Sequence, residues 1–265
     1  MKTKAVLLTL FVLFISRSLF GQDYYVLQVK GTVKKARTGA TIKTKDVIKA
    51  DDQLVFSSPT DAVAVVSPKS GRFILKPGKS VKANELMSYV RDALNPGSTR
   101  LSTRSGSLNN MLDLKVFFQQ PLLFLPELQY PVNAQNFPIN EKNFFFIQFQ
   151  YNGDEINKQL KINDSSLLII NRKDLFKVDG KSVVETEAKG LALHYYSNSG
   201  PIAVCLLSFN LANLVVVRSE VDVLVEALGQ SEKNQAKIQS EILNYLSEQY
   251  GKVDGDNLKR WMKQN

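Results

Sequence analysis

From residue 24 to residue 217 the apolar residues come in short runs, each closed by glycine, proline or a polar turn, a pattern that suits strands and not long helices. Residues 25–33 read as a strand, with Gly31 where a kink or a close backbone approach is needed. Ile42, then Val47 with Ile48, then 54–56, 62–66 and 72–75 follow at short intervals, punctuated by Ser-Pro at 58–59 and 67–68, Gly71 and Pro77-Gly78. Five or six such strands in about 55 residues predict a compact barrel or sandwich.

A second β-rich stretch opens near Leu112, where Pro121, Pro126, Pro131 and Pro138 cut the chain into short extended pieces. Its strongest strand is 144–151, followed at once by the hairpin signal Asn152-Gly153. Further strand-like runs stand at 159–162, 166–171, 183–186, 191–196, 202–209 and 214–217, with Asp179-Gly180 as another turn. That spacing fits a sandwich of immunoglobulin-like size, although the Cys…Trp…Cys signature is absent. Between the two stretches, Leu86, Val90 and Leu94 with Met87 predict a helix over 84–94, ended by Pro96-Gly97, and the polar, basic segment 98–107 reads as a linker.

The period changes after Val217. Ser219 with Asp222 resembles a capping box, and Val221, Leu224, Val225 and Leu228 keep helical spacing to Gly229. A second helix is expected over 231–250, its stripe made by Ile238, Ile242, Tyr245, Leu246 and Gln249, and Asp256 is expected to cap a last short helix carrying Trp261.

At the other end, Lys2 and Lys4 precede an apolar run over 5–15, and Gly21 offers a small residue for cleavage. These features predict a secretory signal over 1–22, since the run is shorter than the about 20 residues a spanning helix needs. Its removal takes three positive charges and no acid from the net +9, leaving +6, an excess that singles out no polyanion. The mature chain is expected to be exported, to the periplasm or the cell surface, with no transmembrane segment.

Val29-Lys30-Gly31-Thr32-Val33, Gly39, Lys45-Asp46-Val47-Ile48 with Asp51-Asp52-Gln53-Leu54, the 62–66 strand, and Ser70-Gly71-Arg72 leading to Leu75-Lys76-Pro77 together resemble the FecR-like domain of periplasmic proteins. The resemblance covers about a fifth of the chain and rests on turns and strands. Family members tend to have Gly-Asp where Lys45-Asp46 and Asp51-Asp52 stand, and a more acidic turn where Lys69-Ser70-Gly71 stands. The resemblance implies a periplasmic, non-catalytic β module that binds or relays. The expected fold is therefore mainly β. A signal peptide (1–22) precedes a FecR-like β module with a terminal helix (23–95) and a linker (96–110); an immunoglobulin-like β-sandwich (111–218) and a helical C-terminal segment (219–265) follow.

One His and one Cys exclude a Cys/His zinc site, a CxxC redox pair and any intramolecular disulfide. No glycine-rich phosphate loop, HExxH or GxSxG motif occurs. No catalytic, cofactor or metal residue is therefore assigned. One pairing merits a test: a turn centred between Ser199 and Gly200 would set His194 opposite Cys205, the minimum nucleophile and base, or else a buried hydrophobe beside an imidazole. Asp51-Asp52, Asp154-Glu155, Asp254 and Asp256 read as turn and solvation residues before a glycosidase pair.

The expected activity is protein–protein contact or scaffolding in the cell envelope. A possible partner surface comprises the basic residues Lys34, Lys35, Arg37, Lys43 and Lys45, which could also meet an anionic envelope component, and the helical stripe Ile238, Ile242, Tyr245 and Leu246. That stripe could equally dock on the chain's own β domain. The alternatives are a glycan or surface-polymer binding module using Tyr24, Tyr25 and the Tyr195-Tyr196 pair, and a hydrolase with an unrecognised site. Nucleic acid is not expected as a partner.

Overall fold

A computed structural model describes residues 23–77, 90–94, 107–161 and 166–264. The expected signal peptide, residues 84–89 of the expected helix, the linker up to residue 106, and Ile162 lie outside the described residues. The chain is mainly β with C-terminal helices. It divides into two compact units, one of residues 1–97 with 218–238, the other of residues 98–217 with 239–265.

The first unit holds β1 (Asp23–Lys30), β2 (Val33–Lys35), β3 (Val47–Lys49), β4 (Leu54–Phe56), β5 (Ala62–Ser67), β6 (Gly71–Leu75) and β7 (Val90–Leu94). Five of these form an antiparallel sheet in the order β3-β1-β5-β6-β7, and β2 pairs with β4. Alternate residues of the strands, Tyr24, Val26, Val63, Val65, Phe73 and Leu75 among them, share one core with Val33, Ile42, Ile48 and Leu54. Gly31 makes the close approach its position suggested. Its φ is +80°, and a Cβ there would stand 1.9 Å from Oδ1 of the buried Asp61. The other oxygen of Asp61 accepts the Ser58 N–H (2.8 Å) and the Thr32 N–H (3.4 Å).

The helix expected over 84–94 is corrected at its described end. Residues 90–94 are strand β7, with Phe73 opposite Ala93 and Arg72 opposite Leu94. Without β7, β6 would be an open edge, and a segment of only five residues, apolar at Val90, Ala93 and Leu94, does not fix its period until a partner strand decides.

The second unit begins, among the described residues, with α1 (Met111–Phe118), whose N-cap Asn110 accepts the Asp113 N–H at 2.9 Å. Then come β8 (Leu122–Leu123), β9 (Glu127–Pro131), β10 (Phe144–Tyr151), β11 (Asp154–Gln159), β12 (Leu167–Asn171), the one-turn α2 (Arg172–Leu175), β13 (Lys177–Val178), β14 (Lys181–Ser182), β15 (Lys189–Ser197), β16 (Gly200–Leu206) and β17 (Phe209–Asn210). The largest sheet is antiparallel in the order β11-β10-β15-β16. Phe145, Ile147, Phe149, Leu193 and Tyr195 bury its inner face. The smaller pairs are β9 with β12, β13 with β14, and the parallel β8 with β17. Arg172 ties this unit together: it holds Glu185 with two hydrogen bonds (2.9 and 2.5 Å) and donates to the carbonyls of Phe124 and Ala212.

Three strand expectations fail here: of 159–162, only Gln159 is strand, as the end of β11, and Leu160 and Lys161 lie outside it. Residues 183–186 run into a 3-10 turn at Glu185–Glu187, where Glu185 meets Arg172. Residues 214–217 are the first turn of α3 (Leu214–Gly229), so this helix starts five residues before Ser219. Leu214-Val215-Val216-Val217 carries three β-branched valines in a row and reads as strand. Asn213 overrides that preference, its side chain accepting the Val215 N–H and its carbonyl the Val217 N–H, both at 3.0 Å. The next helix, α4 (Gln235–Tyr250), starts four residues after the expected 231. The cap of α5 (Gly255–Lys263) is Asp254 and not Asp256; it accepts the Asn257 N–H at 2.9 Å. Asn257, 1% exposed, then clamps α5 to β9 by accepting the Gln129 N–H (2.7 Å) and donating to the Gln129 carbonyl (3.2 Å).

Candidate functional site

The expected pairing of His194 with Cys205 is overturned by the register. Ser197, Tyr196, Tyr195 and His194 stand opposite Gly200, Pro201, Ile202 and Ala203, after which the ladder shifts by one residue and Leu193 meets Cys205. This bulge sends the two side chains to opposite faces. His194 stacks on Phe146 (centroids 4.8 Å apart, 19° between planes), and its Nε2 is buried without a hydrogen-bond partner among the described residues. Cys205 lies on the inner side, beside the fully buried Leu193. Burial pushes its thiol up to about 11, against a weaker opposing pull from the Lys115 charge. A thiol so raised is protonated at neutral pH.

The acids take local roles. Asp52 receives Lys35 Nζ at 2.8 Å and the Lys49 N–H at 3.0 Å. Burial alone would raise its carboxyl; those two hydrogen bonds together with the Lys35 and Arg37 charges outweigh it and hold the group below the usual value. Asp154 and Glu155 are exposed on β11, and Asp254 caps α5. Among the described residues, no three or more His, Cys, Asp or Glu converge as a metal site would require. A small cavity of about 30 Å³ beside Lys158, Leu160, Asn171 and Asp174 has room for about one water.

Of the basic candidates, Lys35 is spent on Asp52 and on the Val47 carbonyl, and Lys45 pairs with Asp222 at 3.1 Å. Lys34, Arg37 and Lys43 are exposed and make no ion pair among the described residues. The helical stripe is corrected: Ile238, Ile242, Tyr245 and Leu246 are 0–3% exposed, so it is core and not a free docking surface. The aromatic candidates are corrected likewise. Tyr24, Tyr25 and Tyr195 are buried, and Tyr195 donates its hydroxyl to the Pro138 carbonyl at 2.8 Å. Tyr196 is 39% exposed, but one face of its ring is covered by Phe144 at 5.1 Å and 9°.

The two edges of the second unit's four-stranded sheet differ in a way that patterning alone did not flag. The β11 edge, Asp-Glu-Ile-Asn-Lys-Gln, is guarded by charge, as exposed edges usually are. The β16 edge, Gly-Pro-Ile-Ala-Val-Cys-Leu, carries no charge, and it leaves Ile202 43% and Leu206 73% exposed. The Leu207 N–H bonds the Leu191 carbonyl at 2.8 Å, so the peptide groups of Leu206, the next residue along, point away from β15. Against β16 packs α1, whose Leu112 (67%) and Val116 (57%), one turn apart, also face solvent. The legible signal was the absence of charge from residue 200 to residue 206. Among the described residues no helix is long and apolar enough to cross a membrane.

No family model matches the chain, and neither the curated proteins nor the solved structures give a match.

Proposed function

We propose that the chain is an exported, non-enzymatic protein of the cell envelope that works by protein–protein contact, with the surface formed by α1 and β16 as its partner site. The observation that carries this reading is the contrast between the edges of one sheet, charged on β11 and uncharged, with exposed Ile202 and Leu206, on β16. Interface cores are poor in charge and gain from burying such side chains, at about 1.5–3 kcal/mol for each one taken fully out of water. Export rests on the expected signal over 1–22. The first unit's sheet is taken as a FecR-like module, on the sequence resemblance, and the second unit's antiparallel sheet as a domain of immunoglobulin-like size, on strand spacing. Lys34, Arg37 and Lys43 are available for an anionic envelope component. Glycan binding is the weaker reading, because sugars stack on free ring faces and Phe144 covers one face of Tyr196. A Cys-His hydrolase is weaker still, with its two groups on opposite faces of the sheet.

The test is capture from envelope extracts with the full chain and with the double variant Ile202→Asp/Leu206→Asp, whose exposed positions tolerate charge. A stoichiometric protein partner held by the natural chain and lost by the variant is the expected result. Unchanged capture by the variant, or retention on immobilised polysaccharide in place of a protein, would overturn the proposal.

A further inference from the structure

The strand β1 is buried on both faces. Tyr24 and Val26 belong to the core of the first unit, whereas Tyr25 (7% exposed) and Leu27 (0%) do not, and Val66 (0%), opposite Tyr25 in the ladder, shares its face. The residues against this second face come from far along the chain. Gln230 donates its side-chain amide to the Tyr25 hydroxyl, and the Ser231 hydroxyl donates to the Pro68 carbonyl, just past β5, at 2.7 Å. Lys45 Nζ reaches Asp222 at 3.1 Å. Val221, Leu224 and Ala227 of α3, spaced at threes along one stripe, are 0–1% exposed.

We infer that residues 218–238 form a strap that seals the second face of the first unit's sheet, so that Tyr25, Leu27 and Val66 are bared only when the strap leaves. The polar ties lie near the surface and set where the strap sits, while the apolar stripe supplies the closure. The covered face is one on which an amphipathic helix docks, and the chain fills it in cis. A partner helix that uses this face must displace the strap first. The FecR-like module is thus completed by a segment that lies outside the 23–95 span.

Amide hydrogen exchange on the full chain tests this, comparing the natural sequence with Leu224→Ala and with the surface-tie variant Asp222→Ala/Ser231→Ala. With Leu224→Ala, amides of 218–228 and of 24–27 should accelerate by one common factor, roughly thirtyfold or more. The tie variant should give a smaller factor, again common to both segments, and in both variants β10 and β15 should keep their rates. Acceleration of the strap with β1 unchanged would make α3 an independent appendage and overturn the inference. Equal acceleration of β10 and β15 would mean global unfolding and overturn it as well.

Discussion

Replacing Gly31 by alanine should destabilise the first unit through two separable effects. At φ +80° an L side chain costs about 1–2 kcal/mol. The new Cβ would also stand 1.9 Å from Asp61 Oδ1 and 2.5 Å from Cγ, so the carboxylate must move and give up the Ser58 and Thr32 N–H groups, a further loss of about 1–3 kcal/mol. The single variant should therefore lose about 2–5 kcal/mol, and Asp61→Ala alone about 1–3 kcal/mol. In the double variant the severe contacts with Oδ1 and Cγ are gone and only a tight 3.2 Å contact with the Cβ of residue 61 remains, so the losses should fall short of additive by about 1–3 kcal/mol. Urea unfolding followed by circular dichroism measures all four corners of the cycle. Trp261, the only tryptophan and a member of the second unit, reports that unit separately by fluorescence. Strict additivity would refute the close-approach account, and an equal shift in the Trp261 transition would refute its placement in the first unit.

Cys205 should react with thiol reagents at pH 8 about a hundredfold more slowly than a free thiol of pKa 9.0, because its thiol is pushed up to about 11, and its rate should keep rising to that pH; labelling at the free-thiol rate would contradict the buried placement. Asn257→Ala should destabilise the second unit by about 1–3 kcal/mol, since it leaves the Gln129 N–H without its acceptor while the Gln129 carbonyl keeps only Arg260, and Trp261 fluorescence during urea unfolding reads the loss directly.

Where a local signal had one structural solution, the sequence was enough. Asn152-Gly153 joins β10 to β11 with both residues at positive φ, the two-residue hairpin that the dipeptide favours. A turn between β15 and β16 was also legible, but it centres on Asn198-Ser199, one residue before the expected place, and that alone sets Ala203 opposite His194. A single bulged residue beyond His194 then shifts the ladder again, and because side chains alternate at period two, Cys205 ends beside Leu193 on the opposite face. The run 214–217 misled for a related reason: β-branched residues favour strand only while nothing caps them, and Asn213 does. The stripe on α4 was read correctly as apolar, yet periodicity is the same for a helix that docks in cis and one that waits for a partner.

By itself, the sequence determined the chemical inventory and the local punctuation. One His and one Cys excluded disulfides and Cys/His metal sites, and the glycine and proline spacing dictated short strands, because those residues fix backbone angles without reference to distant neighbours. Tertiary structure decided which surfaces are free. The basic cluster was divided between ion pairs and solvent, Ile238 and Tyr245 became core, and the uncharged β16 became an open edge. Exposure is set by what packs against a residue from elsewhere in the chain, as residues 218–238 do against β1, and a pattern read along the chain carries no record of it.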